Sequence, residues 1–393
     1  MLRLLITCWI DESINRCIDI PNLGAVLKSV KPGLIKKLER IRANPSSREF
    51  ILADARDADM AWGVPSPGKI YPPPPGGERF RTMPEFHEQI RAVVRQGIVD
   101  IMLASISTMS LLAHRERLFD SLEITPAVRI NDTSDVWCPR GGRYREHPSL
   151  PFAGGFIEEA QYGSLTIEPA GRMPGLGMDD GAAHGVTRPT FSARGEPVVN
   201  LGLYSVTFNN EPLADRESLL AFKEFRAEAQ RKGFRHFLEV FAPNVDAGLK
   251  PEEIPAFVND NVCRMLAGVP LAARPVFLKI PYFGPRALEE LVAYDPSMIV
   301  GVLGGSSGTT YDAFKLLADA QKYGARVALF GRKIKDAEDP LTFIAFLRRI
   351  VDGEISAEEA VKGYHGELQD KRIPPLRSLA DDLKLSSATL SYG

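Results

Sequence analysis

The segment RPVFLKIPYFGPRALEELVAYDPSMIVGVLGG, residues 274–305, contains a strand, a helix and a second strand in succession. Residues 274–282 and 296–305 are short apolar runs, whereas residues 284–294 space their apolar side chains as an amphipathic helix does. Two strands joined through a helix run parallel in the same sheet, because the helix crosses back over the sheet. The segment therefore predicts a parallel sheet covered by helices.

The same alternation of strand and helix extends through residues 48–353. Eight candidate strands begin near residues 48, 98, 124, 197, 235, 274, 296 and 325, and a helix follows the last of them. Eight such units predict an α/β fold of the closed (β/α)8 type, the TIM barrel. An open doubly wound sheet is the alternative, but no G-x-G-x-x-G turn follows the first strand.

Three regions fall outside the repeating units. Residues 1–47 form an N-terminal extension and residues 354–393 a C-terminal tail that could cap the barrel or contact another subunit. Residues 133–196 form a long glycine-rich insertion between the third and fourth strands. Structureless loops of this length are uncommon, so we expect an inserted β-rich subdomain or lid, with GSLTIEPAG (163–171) as one hairpin arm.

The composition is that of a soluble globular protein with no nucleic-acid or membrane partner. The 393 residues are 44% hydrophobic and 25% charged, and their net charge of −2 lacks the basic excess typical of nucleic-acid binders. No run approaches the roughly 18 apolar residues of a membrane span. The four cysteines are widely separated, which favours a reducing compartment, so we expect a cytoplasmic protein that could form a homo-oligomer.

Polar residues follow several of the predicted strands. Because catalytic groups of (β/α)8 barrels lie at the carboxyl ends of the strands, these positions are the candidates for a site. They include Asp54, Arg56 and Asp57 after strand one, Ser105 after strand two, Arg129, Asn131 and Asp132 after strand three, Glu239 in strand five and Lys279 in strand six. The six histidines show no metal-ligand spacing, so no metal site is predicted.

Lys279 lies within an apolar strand, which raises the question of its role. Desolvation lowers the pKa of a lysine amine and makes it nucleophilic, so that it can form a Schiff base with a carbonyl substrate. The alternative is a lysine whose stem packs in the strand while its ammonium pairs with a carboxylate.

A Schiff-base lysine needs a partner that moves protons. Glu239 and Asp54 are the candidates, provided that both strands direct them into one pocket. The alternatives are an ion pair between Glu239 and Lys279, and a helix cap or an ion pair with Arg56 for Asp54.

Glycine-rich segments after strands seven and eight favour a phosphate site. GGSSGTTYDAF (304–314) supplies glycines, hydroxyls and a helix start, and FGRK (330–333) adds a glycine and a guanidinium. Backbone N–H groups in such loops bind anions in many barrels. The candidates for phosphate binding are Gly304, Gly305, Ser306, Gly331 and Arg332, with Arg56 as a further substrate contact. A plain glycine-rich turn is the alternative.

These motifs together resemble the class I, Schiff-base aldolases of the deoxyribose-phosphate, tagatose-bisphosphate and archaeal-type fructose-bisphosphate aldolase superfamily. FLKIPY (277–282) is similar to the motif of the imine-forming lysine, LADARDAD (52–59) to the acidic strand-one motif, and FLEVF (237–241) to the strand-five glutamate of the tagatose-bisphosphate branch. The resemblance implies an imine at Lys279, with Asp54 and Glu239 as acidic partners. Lys333 departs from the usual Gly-Arg-Asn ending, and the insertion has no counterpart.

The sequence therefore predicts a class I aldolase-type lyase acting on a phosphorylated sugar or a related carbonyl compound. Such imine chemistry needs no metal or organic cofactor. Two alternatives stay open: a phosphate-binding barrel isomerase in which Lys279 neutralises an enolate, and a non-catalytic barrel that binds a phosphorylated ligand.

Overall fold

The computed structural model describes residues 30–132, 141–164, 196–305 and 308–390. Within these residues, eight parallel strands close a barrel in the order β1-β10-β9-β8-β7-β6-β3-β2. The predicted (β/α)8 fold is confirmed. The barrel strands are β1 (Ile51–Arg56), β2 (Ile101–Ser105), β3 (Thr125–Arg129), β6 (Leu201–Thr207), β7 (Arg235–Phe241), β8 (Leu278–Ile280), β9 (Val300–Leu303) and β10 (Val327–Phe330).

Helices follow the strands and cover the outside of the barrel. Several begin at a proline or at a capping side chain, as Thr82 and Thr309 illustrate, and several end at a glycine with positive φ. They are α1 (Pro32–Ala43), α2 (Asp59–Trp62), α3 (Met83–Gln96), α4 (Ile106–Met109), α5 (Ile157–Tyr162), α6 (Pro212–Lys232), α7 (Ile254–Ala267), α8 (Pro285–Tyr294), α9 (Thr310–Lys322), α10 (Arg332–Lys335), α11 (Pro340–Asp352), α12 (Ala357–Asp370) and α13 (Leu379–Asp382).

The helix after β2 is shorter than its apolar spacing predicts. We expected a helix over residues 108–122, but α4 continues only as a π-helical turn, Ser110–Arg115. Arg117 then takes a positive φ of 58°, which ends the helix before the apolar residues Leu118 and Phe119 turn back into the core.

Alternation along the strands separates two cores. Odd-numbered residues such as Ala53, Leu103 and Phe237 fill the barrel interior together with side chains of α1, which closes the end of the barrel opposite the pocket described below. Even-numbered residues such as Leu52 and Leu238 pack against the surrounding helices. The face on which a strand residue lies is therefore set by its parity, because neighbouring side chains of a strand point to opposite faces.

Between β3 and β6 the described chain adds a two-stranded antiparallel ribbon of β4 (Asn131–Asp132) and β5 (Phe152–Ala153), followed by α5. The predicted hairpin arm 163–171 lies almost entirely outside the described residues, as do residues 1–29 of the N-terminal extension. The predicted bounds of the extension, insertion and tail stay predictions. In the described part of the chain, no helix is both long enough and apolar enough to cross a membrane.

Candidate functional site

A cavity of about 710 Å³ opens at the carboxyl ends of the barrel strands. This is the end at which (β/α)8 enzymes hold their substrates. Its wall combines strand residues, the loops after β1, β9 and β10, and part of the chain inserted after β4. The residues that line it include Asp57, Arg129, Asp132, Tyr144, Glu239, Lys279, Gly304, Gly305, Gly331 and Arg332.

Lys279 and Glu239 meet at the floor of this cavity. They are cross-strand neighbours in the β7–β8 register, and their parity directs both side chains into the barrel. Lys279 Nζ lies 2.6 Å from Glu239 Oε1, and the side chains are only 7% and 2% exposed. Lys279 and Glu239 therefore form the ion pair that was the predicted alternative. The Lys279 amine also faces the cavity.

The second oxygen of Glu239 is held by its neighbours. Ser205 Oγ donates a hydrogen bond of 2.8 Å to Oε2, and Arg129 Nη2 lies 3.7 Å from the same oxygen. Asn131 fixes Ser205 in turn, since its amide donates to the Ser205 carbonyl and accepts from the Ser205 N–H at 2.8 and 2.7 Å. Glu239 is thus oriented by a hydrogen-bonded frame rather than by Lys279 alone.

Arg129 joins three carboxylates in the barrel interior. Its guanidinium donates to Asp57 Oδ2 at 2.9 Å and to Asp132 Oδ1 at 3.3 Å, besides its approach to Glu239. Burial disfavours the charged guanidinium, but the charges of Asp132, Asp57 and Glu239 outweigh it and raise the pKa of Arg129. Arg129 therefore stays a cation and balances part of the negative charge of the three carboxylates.

The cavity differs in charge between its depth and its mouth. We call Asp57, Asp132, Glu239, Arg129 and Lys279 the floor: three carboxylates against two cations. We call Arg143, Arg145, Arg332 and Glu146 the rim, where three arginines face one carboxylate. A substrate with an anionic group at the rim and a neutral carbonyl near Lys279 matches this distribution of charge.

The predicted phosphate-binding loops lie on the cavity wall. A Cβ at Gly304 would come within 2.3 Å of the Phe330 ring, and one at Gly331 within 2.4 Å of the Ala55 carbonyl oxygen. Gly304 therefore lets the loop after β9 approach β10, and Gly331 lets the loop after β10 approach β1. The Arg332 guanidinium stacks over Trp62, 5.3 Å from the ring centroid. Gly305 has a positive φ of 57°, and Ser306 lies outside the described residues.

The start of α9 does not face the cavity, so our expectation that it helps to bind phosphate is wrong. Its first N–H groups are bound by carboxylates of the chain itself: Thr310 N–H donates to Asp382 at 2.7 Å and Thr309 N–H to Asp312 at 3.0 Å. Asp312 also accepts the Ser386 N–H at 2.9 Å. The C-terminal segment therefore occupies the anion-binding end of this helix.

Asp54 and Arg56 lie on the outer face of β1, so the prediction that they reach the cavity is wrong. Arg56 Nε is 2.8 Å from both oxygens of Asp54, Nη1 donates to Gln89 at 3.0 Å, and the guanidinium lies over Phe86. Gln89 and Phe86 belong to α3. Burial raises the pKa of Asp54 although Arg56 opposes the shift, and the predicted alternative, an Asp54–Arg56 pair, describes the structure.

Parity explains the error on strand one. Ala55 and Asp57 line the cavity, whereas the even-numbered Asp54 and Arg56 turn outward. Asp57 was among the strand-end residues identified from the sequence, as were Arg129 and Asp132, but no role could be given to them. Ser205 was missed, although a polar residue at an inward position of β6 was a signal for it.

Comparison with known proteins adds to this picture. A search of family models found none that matches the chain. A stretch of 91 residues is 33% identical to 2-amino-3,7-dideoxy-D-threo-hept-6-ulosonate synthase 1 of Archaeoglobus fulgidus, covering 23% of this chain. The match spans about a third (34%) of the length of that relative.

Solved structures match over most of the barrel. An archaeal fructose 1,6-bisphosphate aldolase has a TM-score of 0.52 at 17% identity, covering 81% of this chain and 99% of its own. The fructose-bisphosphate aldolase of Slackia heliotrinireducens has a TM-score of 0.55 at 15% identity, covering 87% and 94%. The chain shares its fold with fructose-bisphosphate aldolases. A further archaeal aldolase structure of this fold, at 18% identity and a TM-score of 0.52, holds its catalytic lysine covalently bound to a carbinolamine intermediate.

Proposed function

We propose that the protein is a class I aldolase-type lyase that makes or breaks a C–C bond in a phosphorylated carbonyl compound through a Schiff base on Lys279. The observation that carries the proposal is the buried contact of 2.6 Å between Lys279 and Glu239 at the carboxyl end of the barrel. The similarity in fold to fructose-bisphosphate aldolases supports the same class of reaction.

In this reaction the Lys279 amine attacks the substrate carbonyl to give a carbinolamine. Glu239, 2.6 Å from the amine, takes the proton that nitrogen releases and returns it to the departing hydroxyl, so that water leaves and the imine forms. The cationic imine withdraws electrons from the neighbouring carbon, and the C–C bond next to it breaks or forms through an enamine. The imine is itself the electron sink, so the chemistry calls for no metal or organic cofactor.

Substrate binding follows the distribution of charge in the cavity. Gly304, Gly305, Gly331 and Arg332 hold the phosphate at the rim, and Ser306 lies next in the chain to this loop. Asp57 and Arg129 face the cavity and border the Lys279–Glu239 pair, at the position where we expected Asp54. Hydroxyl groups of the substrate would meet this polar floor.

Reductive trapping tests the proposal. Incubation with dihydroxyacetone phosphate or a small panel of sugar phosphates, followed by borohydride and peptide mass spectrometry, should place a stable adduct on Lys279. Lys279→Met should abolish the adduct. Lys335→Met is a matched control, because Lys335 is equally buried, at 5% exposure, but pairs with Asp336 away from the cavity wall.

The outcomes separate the candidate functions. An adduct on Lys279 with cleavage or formation of a C–C bond supports the aldolase. Exchange of the substrate's alpha proton without an adduct or C–C cleavage would favour the isomerase. Tight binding of the phosphorylated compounds with neither reaction, by folded protein, would favour the non-catalytic barrel.

A further inference from the structure

The proposed lyase reaction needs a second group that moves a proton. When the C–C bond forms, the aldehyde oxygen becomes an alkoxide and must take up a proton; when the bond breaks, the hydroxyl must lose one. Each carboxylate of the floor already pairs with a cation: Glu239 with Lys279, and Asp57 and Asp132 with Arg129. In the proposed reaction Glu239 already exchanges a proton with the Lys279 nitrogen.

The strand that carries Glu239 brings no second polar side chain to the cavity. Phe241, the next inward residue of β7, lines the cavity with an apolar ring. Among the described residues of the wall, the neutral side chain with an acidic O–H is that of Tyr144, which comes from outside the β/α repeat.

Residues 141–149, which we call the arm, belong to the chain inserted between β4 and β5. Five successive residues of the arm, 142–146, line the cavity. The Tyr144 phenol lies within electrostatic range of Asp132, Glu239 and Arg129, which are floor residues. Burial, followed by the charge of Asp132, raises the pKa of Tyr144, so the phenol keeps its proton at neutral pH.

The arm is fixed by the loop that follows β7. The Asn244 side chain donates to the carbonyls of Tyr144 and His147, the latter at 2.8 Å, and accepts the Ser149 N–H at 3.0 Å. Asn244 is itself held by Asn209, whose side-chain oxygen accepts the Asn244 N–H at 3.0 Å. The loops after β6 and β7 thus connect the arm to the strands that carry Ser205 and Glu239. These contacts fix the position of Tyr144 relative to Glu239.

We propose that Tyr144 is a catalytic residue which hydrogen-bonds to, and protonates, the aldehyde oxygen as the C–C bond forms. This inference rests on the proposed aldolase function. The enamine carbon on Lys279 bonds to the aldehyde carbon, the π electrons of the carbonyl move to its oxygen, and that oxygen takes the phenol proton. The phenolate regains a proton from water at the cavity mouth. In cleavage the same steps run in reverse.

The test separates the two half-reactions. In Tyr144→Phe, formation of the borohydride-trapped adduct between Lys279 and dihydroxyacetone phosphate should be unchanged, because that step does not involve the aldehyde. Condensation of dihydroxyacetone phosphate with glycolaldehyde or glyceraldehyde 3-phosphate should fall by about 10²- to 10⁴-fold, mostly in kcat. Tyr294→Phe, at an exposed tyrosine that ends α8, is the matched control and should leave both steps unchanged.

Each outcome has one meaning. Condensation by Tyr144→Phe within about threefold of the wild type would overturn the inference and leave the aldolase proposal intact. Adduct and condensation falling together would also overturn it, since Tyr144 would then support the cavity as a whole. A wild type that forms the adduct but condenses with neither aldehyde would count against the assigned role. A wild type without any adduct would overturn the proposed function itself.

Discussion

Two buried pairs of a carboxylate and a cation lie on opposite faces of the same barrel sheet. Lys279 and Glu239 are 2.6 Å apart on neighbouring strands and face the interior cavity. Asp54 and Arg56 are 2.8 Å apart on one strand and face the helices, where both are fully buried. Burial and pairing are therefore shared by a candidate catalytic pair and a structural pair, and the face of the strand distinguishes them.

The largest expected effect falls on the interior pair. Glu239→Gln keeps the shape of the side chain and its contact with Ser205 but removes the group that exchanges protons with Lys279. We expect turnover to fall by about 10²- to 10⁴-fold. The rate at which the trapped adduct appears, measured by quenched-flow mass spectrometry, should fall in parallel, because carbinolamine dehydration needs the same group.

Asp54→Asn provides the comparison for Glu239→Gln, since it removes the corresponding acid of the outer pair. It should leave the rate of adduct formation on the folded protein unchanged. If Asp54→Asn slows adduct formation as much as Glu239→Gln does, the distinction between the two faces of the sheet is wrong.

The outer pair should matter for stability instead. Arg56→Met leaves the Asp54 carboxylate buried without its cation, which typically costs about 3–5 kcal/mol of the free energy of unfolding. Urea unfolding followed by circular dichroism should show a lower midpoint, while protein that remains folded should form the Lys279 adduct normally. The double variant Asp54→Leu/Arg56→Met should recover part of the loss, because it leaves no unpaired charge.

A double variant no more stable than Arg56→Met would contradict this account of the outer pair. Loss of adduct formation from folded Arg56→Met would do so more directly, since it would link the pair to the chemistry.

The fold could be predicted from the sequence because its signals are local and repeated. Eight apolar runs of strand length alternate with segments of helical spacing, except at the insertion between the third and fourth strands. Each predicted strand start lies within about four residues of the observed one. The end of the helix after β2 could not be predicted, because it depends on a positive φ at Arg117 rather than on an apolar pattern.

The site was predictable only where a residue's face followed from its strand. Lys279 and Glu239 lie within regular strands, and the sequence placed them together correctly. Asp54 was misplaced because the motif LADARDAD offers acids of both parities, and only the β1–β2 and β1–β10 registers decide which one faces inward. Tyr144 had no signal, since a loop residue is brought to the cavity by long-range contacts with Asn244.

The smallest expected effect concerns His236, which shares β7 with Glu239 but lies three residues away and therefore on the outer face. Its ring contacts Phe222 and Phe225 of α6, and burial, followed by the charges of Arg226 and Arg235, lowers the pKa of His236 to about 3. In the unfolded chain a histidine has a pKa near 6.5. Below that pH the unfolded state therefore binds a proton that the folded state does not bind. The contribution of His236 to the free energy of unfolding is fully present above pH 6.5. It is lost as the pH falls towards 3, at about 1.4 kcal/mol per pH unit.

His236→Phe should remove this dependence, because phenylalanine suits an apolar site and takes up no proton. Urea unfolding at pH 7, 6 and 5 should show the free energy of unfolding of the wild type falling more steeply than that of the variant. The difference should approach about 2 kcal/mol between pH 6.5 and 5. Parallel profiles would mean that His236 reaches solvent in the folded state. A change in adduct formation at neutral pH would instead mean that the outer face of β7 influences Glu239, and the separation of the two faces would no longer hold.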